Sequence, residues 1–260
     1  MITKRVIEHM KQQQWTAVVI EIAIVVLGVF IGIQVSNWNE DRENDRKAAV
    51  FTERLKADLR EEDWRYQLMI TYNRQVLENA ERAVDALDGT APLPEEALLV
   101  SAYRATQYKQ GLRRRTTYDE LISTGAIGLI RDQSLRDTAM RNYNSATIDS
   151  LINDGIHSRY REAFRMALPT QVQRALAKNC GDRLISPGDY AGLPDLLDYP
   201  CRTGLPDKTI RDSAATLRGN PALVPALRLR IADLETRLAD LSVNNGPIVQ
   251  GLRAIAKEKP

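Results

Sequence analysis

The sequence predicts an all-α protein: one N-terminal transmembrane helix, then an elongated extracytoplasmic helical bundle interrupted by a Gly/Pro-rich loop. Three observations carry this. Residues 16–35 form an apolar run with a single ionisable side chain. The chain as a whole is poor in aromatics (6%, with three Phe), and it has few β-branched runs outside the first helix, which favours helices of Leu, Ala, Arg and Glu over sheets. Beyond Asn39, apolar residues recur at steps of three, four and seven, the period of a helix with one buried face.

The apolar run reads TAVVIEIAIVVLGVFIGIQV from Thr16 to Val35. About 20 residues at 1.5 Å rise cross the roughly 30 Å hydrocarbon core of a bilayer. Trp15 and Trp38 stand at its ends, where amphipathic indoles favour the headgroup zone, and Asn37, Asn39, Glu40 and Asp41 return the chain to water. A cleaved signal peptide has a shorter apolar region of about 7 to 15 residues and a small-residue cleavage site. The run here ends in Gln34-Val-Ser-Asn-Trp38, so the expectation is an uncleaved signal anchor over 15–38.

Orientation is less plain, because Lys4, Arg5 and Lys11 before the anchor are balanced by Arg42, Arg46 and Lys47 after it. The short leading segment and the chain's two cysteines decide it. Residues 1–14 are expected in the cytoplasm, and 39–260 form an extracytoplasmic domain on the inner membrane, in the periplasm.

Glu21, Gly28 and Gly32 share one face of the anchor, and Ala17, Val25 and Ser36 extend that stripe. Gly28 to Gly32 is a G-x-x-x-G, a spacing that permits close helix approach in lipid, although glycine is also simply common in membrane helices. A carboxylate in hydrocarbon costs about 2.5–3.5 kcal/mol on insertion scales. Glu21 either snorkels to the interface or meets a partner, and the stripe is read as a surface for another membrane helix.

The stretch Glu21 to Glu40, EIAIVVLGVFIGIQVSNWNE, resembles the N-terminal signature of a family of uncharacterised bacterial membrane-anchored proteins. Thr117-Tyr-Asp-Glu-Leu-Ile-Ser-Thr-Gly125, with Leu129-Ile-Arg-Asp132 and Leu135-Arg136, is similar to an internal element of the same family: short helix, Ser/Thr-Gly turn, long helix. The resemblance covers under a quarter of the chain. It implies a bacterial envelope protein with one N-terminal helix and a helical domain, and brings no activity, ligand or catalytic residue to any position.

Along the domain, Ala48, Phe51, Leu55, Leu59, Tyr66, Met69, Val76, Ala80, Ala83 and Leu87 mark one amphipathic helix ended by Gly89 and the Pro92/Pro94 turn. It is either continuous with the anchor or broken near Asn37 to Asn39. A second helix is expected from Pro94 to about Gln110. A short one should start at Thr117, with Glu120 at capping-box spacing, and stop at Gly125. Asp132 or Ser134 caps a long helix running to Pro169. Residues 180–206, with four prolines and four glycines, form a compact irregular loop. Helicity resumes after Asp207. A last helix, opened by Asn220-Pro221, carries Leu227, Ile231, Leu234, Leu238 and Leu241 and is kinked or broken at Asn244 to Pro247.

Candidate chemistry is sparse. Cys180 and Cys201, at the two ends of the irregular loop, are read as a structural disulfide, with two free thiols as the alternative. Lys109, Arg113, Arg114 and Arg115 make either an anion or acidic-partner patch or an ordinary polar turn. His157, the domain's only histidine, is read as a solvated helix residue. Pairs such as Glu78/Arg82, and Asp58 and Glu62 near Arg54, are read as an exposed charged face. No nucleophile elbow, H-E-x-x-H, P-loop or G-x-G-x-x-G occurs. No catalytic residue, metal or cofactor is therefore assigned.

Balanced charge, 36 Lys and Arg against 34 Asp and Glu, argues against nucleic acid as a partner. The expectation is a non-enzymatic envelope protein that acts by protein–protein interaction or assembly. Its partners are the bilayer and, through the anchor, another membrane protein or a second copy. The leading segment is too short to be an output module, so the alternative is a small-molecule sensor accessory that signals through a partner's membrane helix.

Overall fold

A computed structural model describes residues 2–110 and 113–258, and the side chains of Trp15 and of Val18 onward within them. The described chain is 77% helical and has no strand. Helix α1 (Ile2–Asp88) is unbroken over 87 residues, about 130 Å at 1.5 Å per residue. The chain contains no proline or glycine between Asn37 and Asp88, so nothing in the backbone interrupts the hydrogen-bond ladder where the apolar run gives way to charged residues. Beyond Asp88 the chain reverses through Gly89 at φ 79°, a left-handed conformation suited to glycine.

Among the described residues, nine further α-helices wrap the C-terminal half of α1: α2 (Glu95–Arg104), α3 (Thr116–Ser123), α4 (Gln133–Asn144), α5 (Thr147–Ile156), α6 (Arg159–Ala167), α7 (Thr170–Cys180), α8 (Asp207–Arg218), α9 (Leu223–Ala239) and α10 (Gly246–Lys257). They are shorter and more numerous than the periodicity suggests. The second helix stops at Arg104 rather than near Gln110. The single helix expected from Asp132 to Pro169 is three, α4, α5 and α6, separated at Ser145-Ala146 and at His157-Ser158.

The start of that run is as expected: Asp132 accepts from the Leu135 N–H at 3.1 Å and caps α4. Its first break carries a tertiary contact. The Arg113 guanidinium donates to the carbonyls of Asn142 (2.6 Å) and Ser145 (3.2 Å), satisfying acceptors at the helix end. The expected break near Asn244 is a π-helical turn over Asp240–Asn244 that leads into α10.

α1 is the spine of the domain, with apolar clusters against it on more than one side. Leu55, Leu59, Tyr66 and Met69 meet Tyr118, Leu121, Leu135, Tyr143, Ile248 and Leu252. Farther along, Ala80 and Ala83 join Leu99, Tyr160, Phe164, Leu176 and Leu227. A third group, Trp64, Leu68, Tyr72 and Val76, is covered by Leu193, Leu196 and Leu197 from the irregular loop and by Leu234. The single apolar face read from the sequence is thus only part of the contact surface, and from Glu62 to Tyr66 every residue is buried.

Gly155 is one glycine that packing requires. A Cβ there would lie 2.5 Å from the Cβ of Tyr108 and 3.8 Å from Nη2 of Arg230. Gly155→Ala is expected to destabilise the protein by about 1–3 kcal/mol, the range for overpacking, read as a lower urea midpoint; an unchanged midpoint would show that the 105–110 segment yields freely.

Candidate functional site

Two regions bear on function. The first is the anchor. Among the described residues, α1 is the one helix long and apolar enough to cross a membrane, and none of its apolar window is buried. Glu21, Val25, Gly28, Gly32 and Ser36 are exposed, and nothing lies within 4 Å of a Cβ built on either glycine. The side chain of Ala17 lies outside the described ones. The stripe meets no other part of the described chain.

The second region is a buried polar junction that the periodicity conceals. Glu62, expected on a solvated face, is 0% exposed. Its Oε2 accepts from Nε of Arg113 (3.4 Å) and Nδ2 of Asn142 (3.3 Å), its Oε1 accepts from the Arg114 N–H (3.2 Å), and Arg65 pairs with it at 3.3 Å. Asp58 is also buried, and its carboxylate accepts from the N–H of Thr117 at 3.4 Å. The capping box expected within α3 is therefore replaced by a carboxylate from α1, while Glu120 pairs with Arg54 at 2.7 Å. Burial pushes the Tyr143 hydroxyl upward, and the Glu62 charge adds to it. That phenol donates to the Arg114 carbonyl at 2.7 Å.

This junction dissolves the basic patch expected at 109–115. Arg113 is spent on Glu62, Arg114 pairs with Glu61 at 2.9 Å, Arg115 with Asp119 at 3.0 Å, and Lys109 with Asp182 at 3.3 Å. Four cations with four different carboxylates do not form one anion site. Arg82 likewise pairs across the fold with Asp198 (2.8 Å), not along the helix with Glu78. His157 is exposed, at the end of α5.

Cys180 and Cys201 lie at disulfide distance, S–S 2.10 Å and Cα–Cα 5.5 Å. The bridge is held on the spine from several directions. Gln75 donates to the Pro194 carbonyl (2.6 Å) and accepts from the Leu197 N–H (2.9 Å), Tyr190 donates to Asp63 (2.7 Å), and the indole of Trp64 donates to the Asp189 carbonyl (3.1 Å). Buried Arg104 donates to the carbonyls of Cys180 (3.3 Å) and Tyr199 (2.7 Å) and pairs with Asp198. A cleft of about 390 Å³ opens beside the bridge, lined by Asn79, Arg82, Glu96, Arg104, Tyr199 and Cys201 among others. Hydrogen bonds from the Thr203 hydroxyl and N–H hold the Glu96 carboxyl below its ordinary range. Among the described residues no group of three or more His, Cys, Asp or Glu could hold a metal ion.

A family model described as a family of unknown function (DUF6090) matches residues 21–160. That span takes in the anchor from Glu21 and the Glu62, Arg113 and Asn142 junction; the disulfide lies beyond it. No curated protein and no solved structure matches the chain. Because the match covers more than half of the residues, the chain belongs to this family of unknown function, DUF6090.

Proposed function

We propose that this chain is a single-pass protein of a bacterial inner membrane, with its N-terminus in the cytoplasm and its helical domain in the periplasm. It works without catalysis, by assembling through its anchor with another membrane protein or a second copy. The observation that carries this reading is the unbroken course of α1 from the lipid-facing stripe to the middle of the domain core. A helix shared in this way converts a contact in the bilayer into a fixed placement of the domain outside it, with no hinge between. The pairing of Cys180 with Cys201 supports an oxidising compartment for the domain. The finer likeness of Glu21 to Glu40 to bacterial envelope anchors supports the same placement.

Glu21 and the two glycines are the groups a partner would meet first. An interhelical hydrogen bond in lipid contributes about 0.6–2 kcal/mol, and close packing at glycine adds to it. Glu21→Leu is therefore expected to weaken association in a membrane two-hybrid or energy-transfer assay by roughly 3- to 30-fold. Gly28→Ile combined with Gly32→Ile should abolish it. Association unchanged in both variants would overturn the proposal.

A further inference from the structure

The basic run at 109–115 is neutralised by carboxylates, but another set of cations is not. Arg161 and Arg165 lie one turn apart on α6, where like charges repel. Neither forms an ion pair among the described residues. Together with Tyr103, Gln107, Phe164 and Gln173 they line a cleft of about 220 Å³ between α6, α7 and the segment that follows α2. No carboxylate lines this cleft.

Arg161 is half-buried, with one N–H on the Thr106 carbonyl (3.1 Å) and its guanidinium 4.8 Å from the centre of the Tyr108 ring. Burial first, and repulsion from Arg165 second, lower its pKa. Behind it, Arg230 is 3% exposed and donates to the Gln107 carbonyl (3.1 Å); it too has no ion pair among the described residues. Burial lowers its pKa to about 10, so it stays charged at neutral pH.

The Tyr103 hydroxyl has no hydrogen-bond partner among the described residues. Burial, with the charge of Asp182, holds it up at about 12, so it remains a donor. The one nearby carboxylate on the 181–183 segment, Asp182, is already engaged by Tyr72 (2.7 Å) and Lys109 (3.3 Å). Asp233 and Asp154 oppose the lowering at Arg230, but half-buried Arg161 has no carboxylate beside it among the described residues, and partly desolvated charge left so is costly, a cost that an anion seated here would offset. The planar forks of two arginines and a phenol suit the oxygens of a carboxylate or phosphoryl group, and the volume limits the bound group to a small one.

We propose that this cleft binds a small oxyanion, a carboxylate or phosphoryl group, through Arg161 and Arg165 with Tyr103 as a neutral donor. The site is independent of the anchor and of what the anchor binds.

The test is calorimetric titration of the full chain in uncharged detergent with sodium phosphate and with sodium succinate, against sodium chloride at matched ionic strength. Saturable binding of phosphate or succinate is expected, and the tighter of the two names the ligand class. Arg165→Gln, at an exposed side chain, should weaken it about tenfold or more while leaving the unfolding midpoint in place. Arg161→Lys, which keeps the charge and loses the fork, should weaken it similarly. Heats equal to those of chloride, or affinities unchanged in both variants, would overturn the assignment.

Discussion

Glu62→Ala is expected to lower the unfolding free energy by about 3–5 kcal/mol, the range for removing one partner of a buried ion pair. The carboxylate is 0% exposed and is reached by Arg65, Arg113, Asn142 and the Arg114 backbone. Truncation leaves the charge of Arg113, whose side chain is 8% exposed, without its carboxylate. Most of the loss is the cost of that uncompensated charge and not the net worth of the contact.

Two companion variants separate these contributions. Glu62→Gln keeps the shape and an acceptor, so it should lose less than Glu62→Ala. Glu62→Met combined with Arg113→Met removes both charges, and its stability should recover toward that of the parent. The measurement is the urea midpoint of the full chain in detergent. A double variant no more stable than Glu62→Ala would show that the Asn142 and Ser145 carbonyls, stripped of Arg113, dominate instead.

The same residue shows where sequence reasoning stops. The apolar period placed ten residues from Ala48 to Leu87 on one face; Leu55, Leu59, Tyr66, Met69, Val76, Ala80 and Ala83 are buried, while Ala48, Phe51 and Leu87, toward its two ends, are half-buried. Local chemistry also placed the Asp132 cap, and the stop at Gly125, whose φ of 69° is left-handed. Those features depend on neighbours within a turn or two. Glu62 depends on Arg113 and Asn142, 51 and 80 residues away, and its own surroundings read as an ordinary charged face.

At the division of α4 from α5 the distant Arg113 meets the Asn142 and Ser145 carbonyls, and it acts beside a local contact, the Ser145 hydroxyl accepting from the Thr147 N–H at 3.4 Å. The Asn37 to Asn39 step left two readings open, and the continuous one is the structure's. The polarity of that step marks the end of the apolar run, but polarity does not break a helix, and α1 continues through it. Arg161 and Arg165 had no visible signal, because what distinguishes them is the absence of carboxylates around a cleft assembled from three segments.

Removing the disulfide by Cys180→Ala with Cys201→Ala is expected to cost about 3 kcal/mol, the chain-entropy value for a closed loop of this order, and so about 6–12 °C in Tm for a domain of this size. The separation is 21 residues. The question is which state the bridge acts on. Within the folded protein the loop has other attachments: buried Leu193, Leu196 and Leu197, and the hydrogen bonds to Asp63, Trp64 and Gln75. Each fully buried leucine contributes about 1.5–3 kcal/mol, so together they outweigh what the bridge supplies. The loop should therefore stay docked without it, and the loss should come from a freer unfolded chain. The Leu197 N–H, bonded to Gln75, distinguishes the two cases. Its hydrogen exchange should remain slow in the variant and fall only in step with global stability, whereas rapid exchange at Leu197 with the α1 amides still protected would mean that the bridge itself holds the loop against the spine.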